Sequence, residues 1–170
     1  PEPRPSRDAR CARCGPHPSL APLGLAHTLE LSSTICAMRL SVSIVCKNSA
    51  DTIGRTLDSV RGLADEIVAV DSGSTDATID MLHAAGARVI ESPWLGYVKT
   101  KQLALEHCTG DWVLAIDSDE SPLPELIKCI EAALDCPGQH TGFKVNRKVY
   151  VDDTPLNHAW QPERRLRLVR

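Results

Sequence analysis

With 170 residues, 24% of them charged and 42% hydrophobic, and a formal net charge of −3, the chain can bury a core of its own and gives no electrostatic reason to expect nucleic acid as a partner. Its seven cysteines are odd in number and irregularly spaced, which excludes a small disulfide scaffold and points to a reducing, cytoplasmic compartment. No run reaches the roughly 20 apolar residues that span a bilayer, and the most apolar stretch, 19–38, is broken by Pro22, His27 and Glu30.

Residues 1–37 are rich in Pro, Arg and Gly and lack an apolar period, so they are expected to be a disordered extension before a domain over 38–170. Cys11 and Cys14 have the spacing of half a zinc site, but no second half follows them. From Met38 the character changes. "RLSVSIVC" (39–46) predicts a strand, and Asn48 or Ser49 offers an N-cap to a helix whose Ile53, Leu57 and Val60 share one face. "DEIVAVD" (65–71) predicts a second strand. Ser74 or Thr75 then caps a helix carrying Ile79, Leu82 and Ala85, which Gly86 ends.

"ARVIE" (87–91) predicts a third strand, and 98–108 a third helix. The most hydrophobic strand, "DWVLAID" (111–117), should lie centrally in the sheet. A fourth helix spans 121–134 and begins with prolines. Such βα alternation implies an α/β fold, Rossmann-like, with a mostly parallel sheet, helices on both faces and right-handed crossovers. "TGFKVNRKVYVDD" and "RRLRLVR" predict two further, half-exposed antiparallel strands, and the run that stops at Arg170 reads as a domain incomplete at its C-terminus.

In open α/β sheets ligands bind at the carboxyl ends of the strands. Three such ends are polar here, "CKN", "DSGSTD" and "DSDE", so Asp71, Asp76, Asp117 and Asp119 should gather on one edge. Clustered carboxylate oxygens suit a hard divalent ion, Mg²⁺ or Mn²⁺, which brings a diphosphate with it. Each motif also has a plainer reading: Asp76 as a helix cap, "DSGST" as a polar glycine turn, and Asp-x-Asp as a solvated loop.

Together, "LSVSIVCKNSADTIGRTLDSVRGLADEIVAVDSGSTDATIDMLHAAGARVIES" and "GDWVLAIDSDESPLPEL" resemble the family 2 glycosyltransferases of the GT-A fold, and in particular the β-glucosyltransferases of lipopolysaccharide core synthesis. The resemblance covers about 39–170. It implies an inverting, metal-dependent transfer from a nucleotide-diphosphate sugar, with uracil as the expected base, to a saccharide or glycolipid acceptor, and peripheral membrane contact where that acceptor is lipid-linked. Carried onto this sequence, Asp71 recognises the base or ribose, Asp117 meets the ribose side, Asp119 holds the metal, and Asn48 and Lys101 lie at the nucleotide. Ser49 stands where the family has a Glu, so any role of that acid is missing.

Glu163, in "WQPERRLRLV", stands where the family has an Asp and is the candidate general base; the alternative is a surface Glu paired with Arg164 or Arg167. His158 is a second candidate base. Trp94, Tyr150 and Trp160 either line a sugar pocket or pack, and Arg165 and Arg167 either meet an anion or form a solvated strand face. Two other readings compete with the enzyme: a truncated remnant that binds nucleotide-sugar without turnover, and a haloacid-dehalogenase-type phosphotransferase suggested by "DSDES", for which too little chain follows.

Overall fold

The computed structural model describes residues 38–151, 154–156 and 161–170. The expected extension 1–37 and the candidates His158 and Trp160 lie outside the described residues. Strands and helices alternate as β1 (Leu40–Cys46), α1 (Ala50–Val60), β2 (Glu66–Asp71), α2 (Thr78–Ala84), β3 (Arg88–Glu91), α3 (Tyr97–Glu106), β4 (Trp112–Asp117) and α4 (Pro124–Asp135). Four strands follow: β5 (Gly142–Arg147), β6 (Tyr150–Val151), β7 (Thr154–Pro155) and β8 (Glu163–Val169).

Six strands form one sheet in the order β3-β2-β1-β4-β8-β5. β3, β2, β1 and β4 are parallel, while β8 runs antiparallel to both β4 and β5. β4 is central, as its hydrophobicity predicts, and β6 and β7 make a separate two-stranded ladder.

Alternation along the strands separates two layers. Leu40, Val42, Ile44 and Cys46 of β1 point to one face with Trp112, Leu114 and Ile116 of β4. There they form a core with Ile53, Leu57 and Val60 of α1, Leu82 of α2, and Ile130 and Leu134 of α4. The opposite face of β1 carries the buried, small Ser41 and Ser43, which lets α3 approach β1 and β2 closely. Helices therefore cover both faces.

Local chemistry moves some expected boundaries. α4 starts at Pro124 rather than 121, because Ser121 and Leu123 each precede a proline and are held out of the helical region. α2 starts at Thr78, and neither Ser74 nor Thr75 caps it, since both hydroxyls are engaged elsewhere, that of Ser74 with Asp71 and Asn48 and that of Thr75 with Asn48. Gly86 does end α2: at φ +76° it sits at C′, donating to the His83 carbonyl while Ala87 donates to that of Leu82. Among the described residues no helix is long and apolar enough to cross a membrane.

Candidate active site

Parallel pairing brings the polar strand ends to one edge of the sheet, with Asp71 opposite Cys46 of β1 and Asp117 opposite Val45. β1 separates the two acids, so they lie about two strand spacings, ~10 Å, apart along the rim. Because Cys46 and Val45 point to opposite faces, Asp71 approaches the rim from the α1 side and Asp117 from the α3 side.

Asp71 is 0% exposed. Its Oδ2 accepts the backbone N–H of Gly73 and Ser74 at 2.9 and 2.8 Å. Its Oδ1 accepts the Ser74 hydroxyl and, at 3.6 Å, the Cys46 thiol. Gly73 completes this turn at φ +83°, a conformation open to glycine without steric cost. The carboxylate expected to touch the nucleotide thus has its acceptor sites filled by its own loop. Burial, together with the neighbouring Asp71 charge and hydrogen bond, pushes the Cys46 thiol up to about 12.

Asn48 adopts a left-handed backbone at φ +49° and staples the first strand end to the second. Its N–H donates to Ser74 Oγ and its Oδ1 accepts from Thr75 N–H, both at 2.8 Å. Asp76 serves two helix starts with one carboxylate: Oδ2 accepts from Ala50 N–H at 3.0 Å and Oδ1 from Thr78 N–H at 3.1 Å. Its hydrogen bonds, led by the Thr78 hydroxyl, hold it below the usual carboxylate range. Of the two readings of Asp76, this geometry is the capping one, and it leaves Ser49 without a capping role; the Ser49 hydroxyl instead pairs with that of Ser118 at 2.8 Å.

At the end of β4 the acids divide. Asp117 Oδ1 lies 2.6 Å from Lys101 Nζ of α3, and its Oδ2 lies 3.0 Å from Arg167 Nη2 of β8. Burial alone would push the Asp117 carboxyl up, but these two cations outweigh it and hold the group below its ordinary value. Glu120 Oε2 accepts from the Asp117 N–H at 3.1 Å, while Oε1 takes Arg167 at 2.5 Å and Arg147 at 3.5 Å. Asp119 differs from both. It is exposed, and among the described residues no hydrogen bond or ion pair engages its carboxylate.

Glu163 opens β8 beyond the same rim. Arg147 grips it with Nε and Nη2 at 2.8 and 3.0 Å, and Arg165 with Nε and Nη2 at 2.9 and 2.6 Å. Its partners are therefore Arg147 and Arg165, not the Arg164 or Arg167 of the surface-pair alternative. These hydrogen bonds, Arg147 first, hold the Glu163 carboxyl below the usual range and make it a weaker base.

Lys101, Asp117, Arg167, Glu120, Arg147, Glu163 and Arg165 thus form one chain of alternating charge. Sequence reasoning saw Glu120 within the "DSDE" strand end but gave it no role of its own, missed Arg147, and left Arg167 between an anion contact and a solvated face. Arg167 is only 11% exposed in its side chain, and the one available signal was its alternation with the buried Leu168. Trp94 is exposed and meets Tyr97 edge-on, with ring centroids 4.9 Å apart; Tyr150 is exposed on β6.

Two buried side-chain oxygens have no partner among the described residues, Ser72 Oγ and Ser121 Oγ. Both follow acidic motifs of the rim, directly after Asp71 and Glu120. An orphaned buried hydroxyl is costly unless a ligand, ion or water completes it. Among the described residues no three His, Cys, Asp or Glu side chains converge to hold a metal by themselves. A single free carboxylate still fits Mg²⁺ or Mn²⁺, which take one or two protein carboxylates and draw their other ligands from phosphates and water.

The family model described as glycosyl transferase family 2 matches residues 41–165. A lipopolysaccharide core biosynthesis glycosyltransferase, LpsC of Rhizobium meliloti, is 38% identical over 144 residues, covering 77% of this chain and 50% of that protein. A glycosyltransferase of Rickettsia bellii is 43% identical over 99 residues, covering 58% of this chain and 34% of its own length. The chain thus spans between a third and a half of these relatives. Among solved structures, glucosyl-3-phosphoglycerate synthase of Mycobacterium tuberculosis, with Mn²⁺, UDP-glucose and phosphoglyceric acid, superposes with a TM-score of 0.54 at 29% identity, covering 63% of this chain and 43% of that one. The same enzyme with Mn²⁺, UDP and glucosyl-3-phosphoglycerate gives a TM-score of 0.51 at 31% identity, covering 59% and 41%.

Proposed function

The chain belongs to glycosyl transferase family 2 and has the GT-A fold, and from that premise we propose that it transfers a sugar, with inversion, from a UDP-sugar to a saccharide or glycolipid acceptor in lipopolysaccharide core synthesis. The observation that carries this reading is the free Asp119 carboxylate on the strand-end rim, in a cluster where the other acids are all paired. The LpsC likeness supports the acceptor class, and the UDP and Mn²⁺ in the solved relatives support the donor. We assign the reaction to the cytoplasm, with peripheral contact at the inner membrane face when the acceptor is lipid-linked.

In this reading the nucleotide lies across the ends of β2, β1 and β4, against Asn48 and the Ser72–Ser74 turn. Asp71 acts on it by holding that turn, and direct contact with base or ribose requires the donor to displace the Ser74 hydroxyl. Ser72 Oγ and Ser121 Oγ gain partners from the donor. Lys101 and Asp117, ion-paired at 2.6 Å, border the ribose and diphosphate, with Lys101 contributing positive charge. Asp119 holds Mg²⁺ or Mn²⁺, which when bound supplies counter-charge for the departing diphosphate.

The acceptor hydroxyl forms a new bond to the anomeric carbon as the bond from that carbon to the diphosphate oxygen breaks. The diphosphate keeps the electron pair, and Glu163 takes the hydroxyl proton. A weakly basic Glu163 favours a second reading, in which the chain binds donor without turning it over. Assays of UDP-glucose hydrolysis and transfer with Mn²⁺ separate the two. Turnover lost in Glu163→Gln supports the enzyme; UDP binding with no turnover in the unaltered chain selects the second reading.

A further inference from the structure

Charge is unevenly distributed along the chain. Residues 142–170 hold seven Lys and Arg against three Asp and Glu, whereas 1–141 hold 12 against 19, so a protein of net charge −3 concentrates positive charge on its last strands. Beside them lies an open cavity of about 620 Å³ lined by Arg147, Val149, Gln161, Pro162 and Glu163. That volume falls within the roughly 300–1,000 Å³ of small-molecule sites. Its lining joins an apolar patch, Val149 and Pro162, to hydrogen-bonding heads, which matches a sugar ring with a C–H face and polar edges.

Glu163 of the lining is the counter-ion of both Arg147 and Arg165, the latter standing beside the lining rather than in it, and the neighbouring Glu120 is shared between Arg167 at 2.5 Å and Arg147 at 3.5 Å, so three guanidinium groups meet two carboxylates. Arg165 is 60% exposed in its side chain and directs only Nε and Nη2 to Glu163, leaving Nη1 available. Strand alternation puts Arg165 on the same side of β8 as Glu163, with Arg164 on the other.

We propose that this cavity is the acceptor subsite and that its acceptor is an acidic saccharide, whose carboxylate or phosphate is taken by the guanidinium of Arg165. The proposal rests on the transferase reading and narrows its acceptor class. Such an anion also draws Arg165 away from Glu163, so acceptor binding relieves the group that must accept the proton of one of its two cationic partners.

NMR titration of the full chain with glucose, glucuronate and glucose 6-phosphate, each with and without UDP and Mn²⁺, tests this. Glucuronate, glucose 6-phosphate or both should bind at least about tenfold more tightly than glucose, as one charge-assisted hydrogen bond provides. Arg165→Glu should abolish that preference while leaving UDP affinity unchanged, and Arg164→Glu, the same charge reversal on the other side of β8, should retain it. Equal binding of the acidic and neutral sugars overturns the proposal, as does equal loss in both variants, which would mark a diffuse field rather than a site. An acidic-sugar preference without UDP binding would keep the subsite and remove the donor assignment; UDP binding without the preference would do the reverse.

Discussion

A carboxylate whose lone pairs are all occupied inside the protein has none left for a ligand, and Asp71 and Asp119 occupy the two extremes. Asp71→Asn would turn an NH₂ group toward donors already aimed at the carboxylate and should destabilise the domain by about 3 kcal/mol in urea unfolding. Asp119→Asn, exposed and without partners, should stay within about 0.5 kcal/mol of the parent protein. The thiols divide in the same manner. Cys46 is buried and its thiol pushed up to about 12, so iodoacetamide should label it only after unfolding. Cys129 is exposed and should be labelled in the native protein, as peptide mapping by mass spectrometry can establish. Both motifs were visible in the sequence as acids after strands. Which acid the protein keeps for itself was not, because that depends on backbone N–H groups that converge only once the Gly73 turn has formed.

The loop after β4 is held in place by other elements. Thr56 of α1 donates its hydroxyl to the Ser118 carbonyl at 3.0 Å, and Arg167 of β8 ties down Asp117 and Glu120. Arg167→Ala leaves two half-buried carboxylates short of a partner and should cost about 1–3 kcal/mol, the lower end reflecting their partial exposure. The pH dependence follows from Asp117, whose carboxyl is lower in the folded than in the unfolded state. Its contribution to stability is present above the ordinary carboxylate value of about 4 and is lost as pH falls through the folded value. Resistance to urea should therefore weaken below about pH 4, and by less in Arg167→Ala. Apolar periodicity made these elements legible nearly to their ends, because strands and amphipathic helices repeat at different intervals. Helix caps were less legible: α1 receives its cap from Asp76, 26 residues ahead, and nothing local distinguishes that carboxylate from Ser49 beside the helix.

At the scale of the whole molecule, the sheet order brings three strand ends to one rim, and the antiparallel β8 begins beyond that rim with Glu163 and passes Arg167 alongside β4. The parallel half could be read from the βα alternation alone. The ion-pair chain from Lys101 to Arg165 could not, since β4, β5 and β8 meet through pairings that short polar and basic runs do not specify. That chain makes Asp119 the acid left over, and donor binding through it is the central claim. Calorimetric titration of UDP into the full chain, with Mn²⁺ and then with EDTA, beside Asp119→Ala, tests it most directly. The account predicts UDP binding that requires Mn²⁺ and disappears in a variant of unchanged thermal stability; equal UDP affinity in both proteins, with or without EDTA, would contradict it.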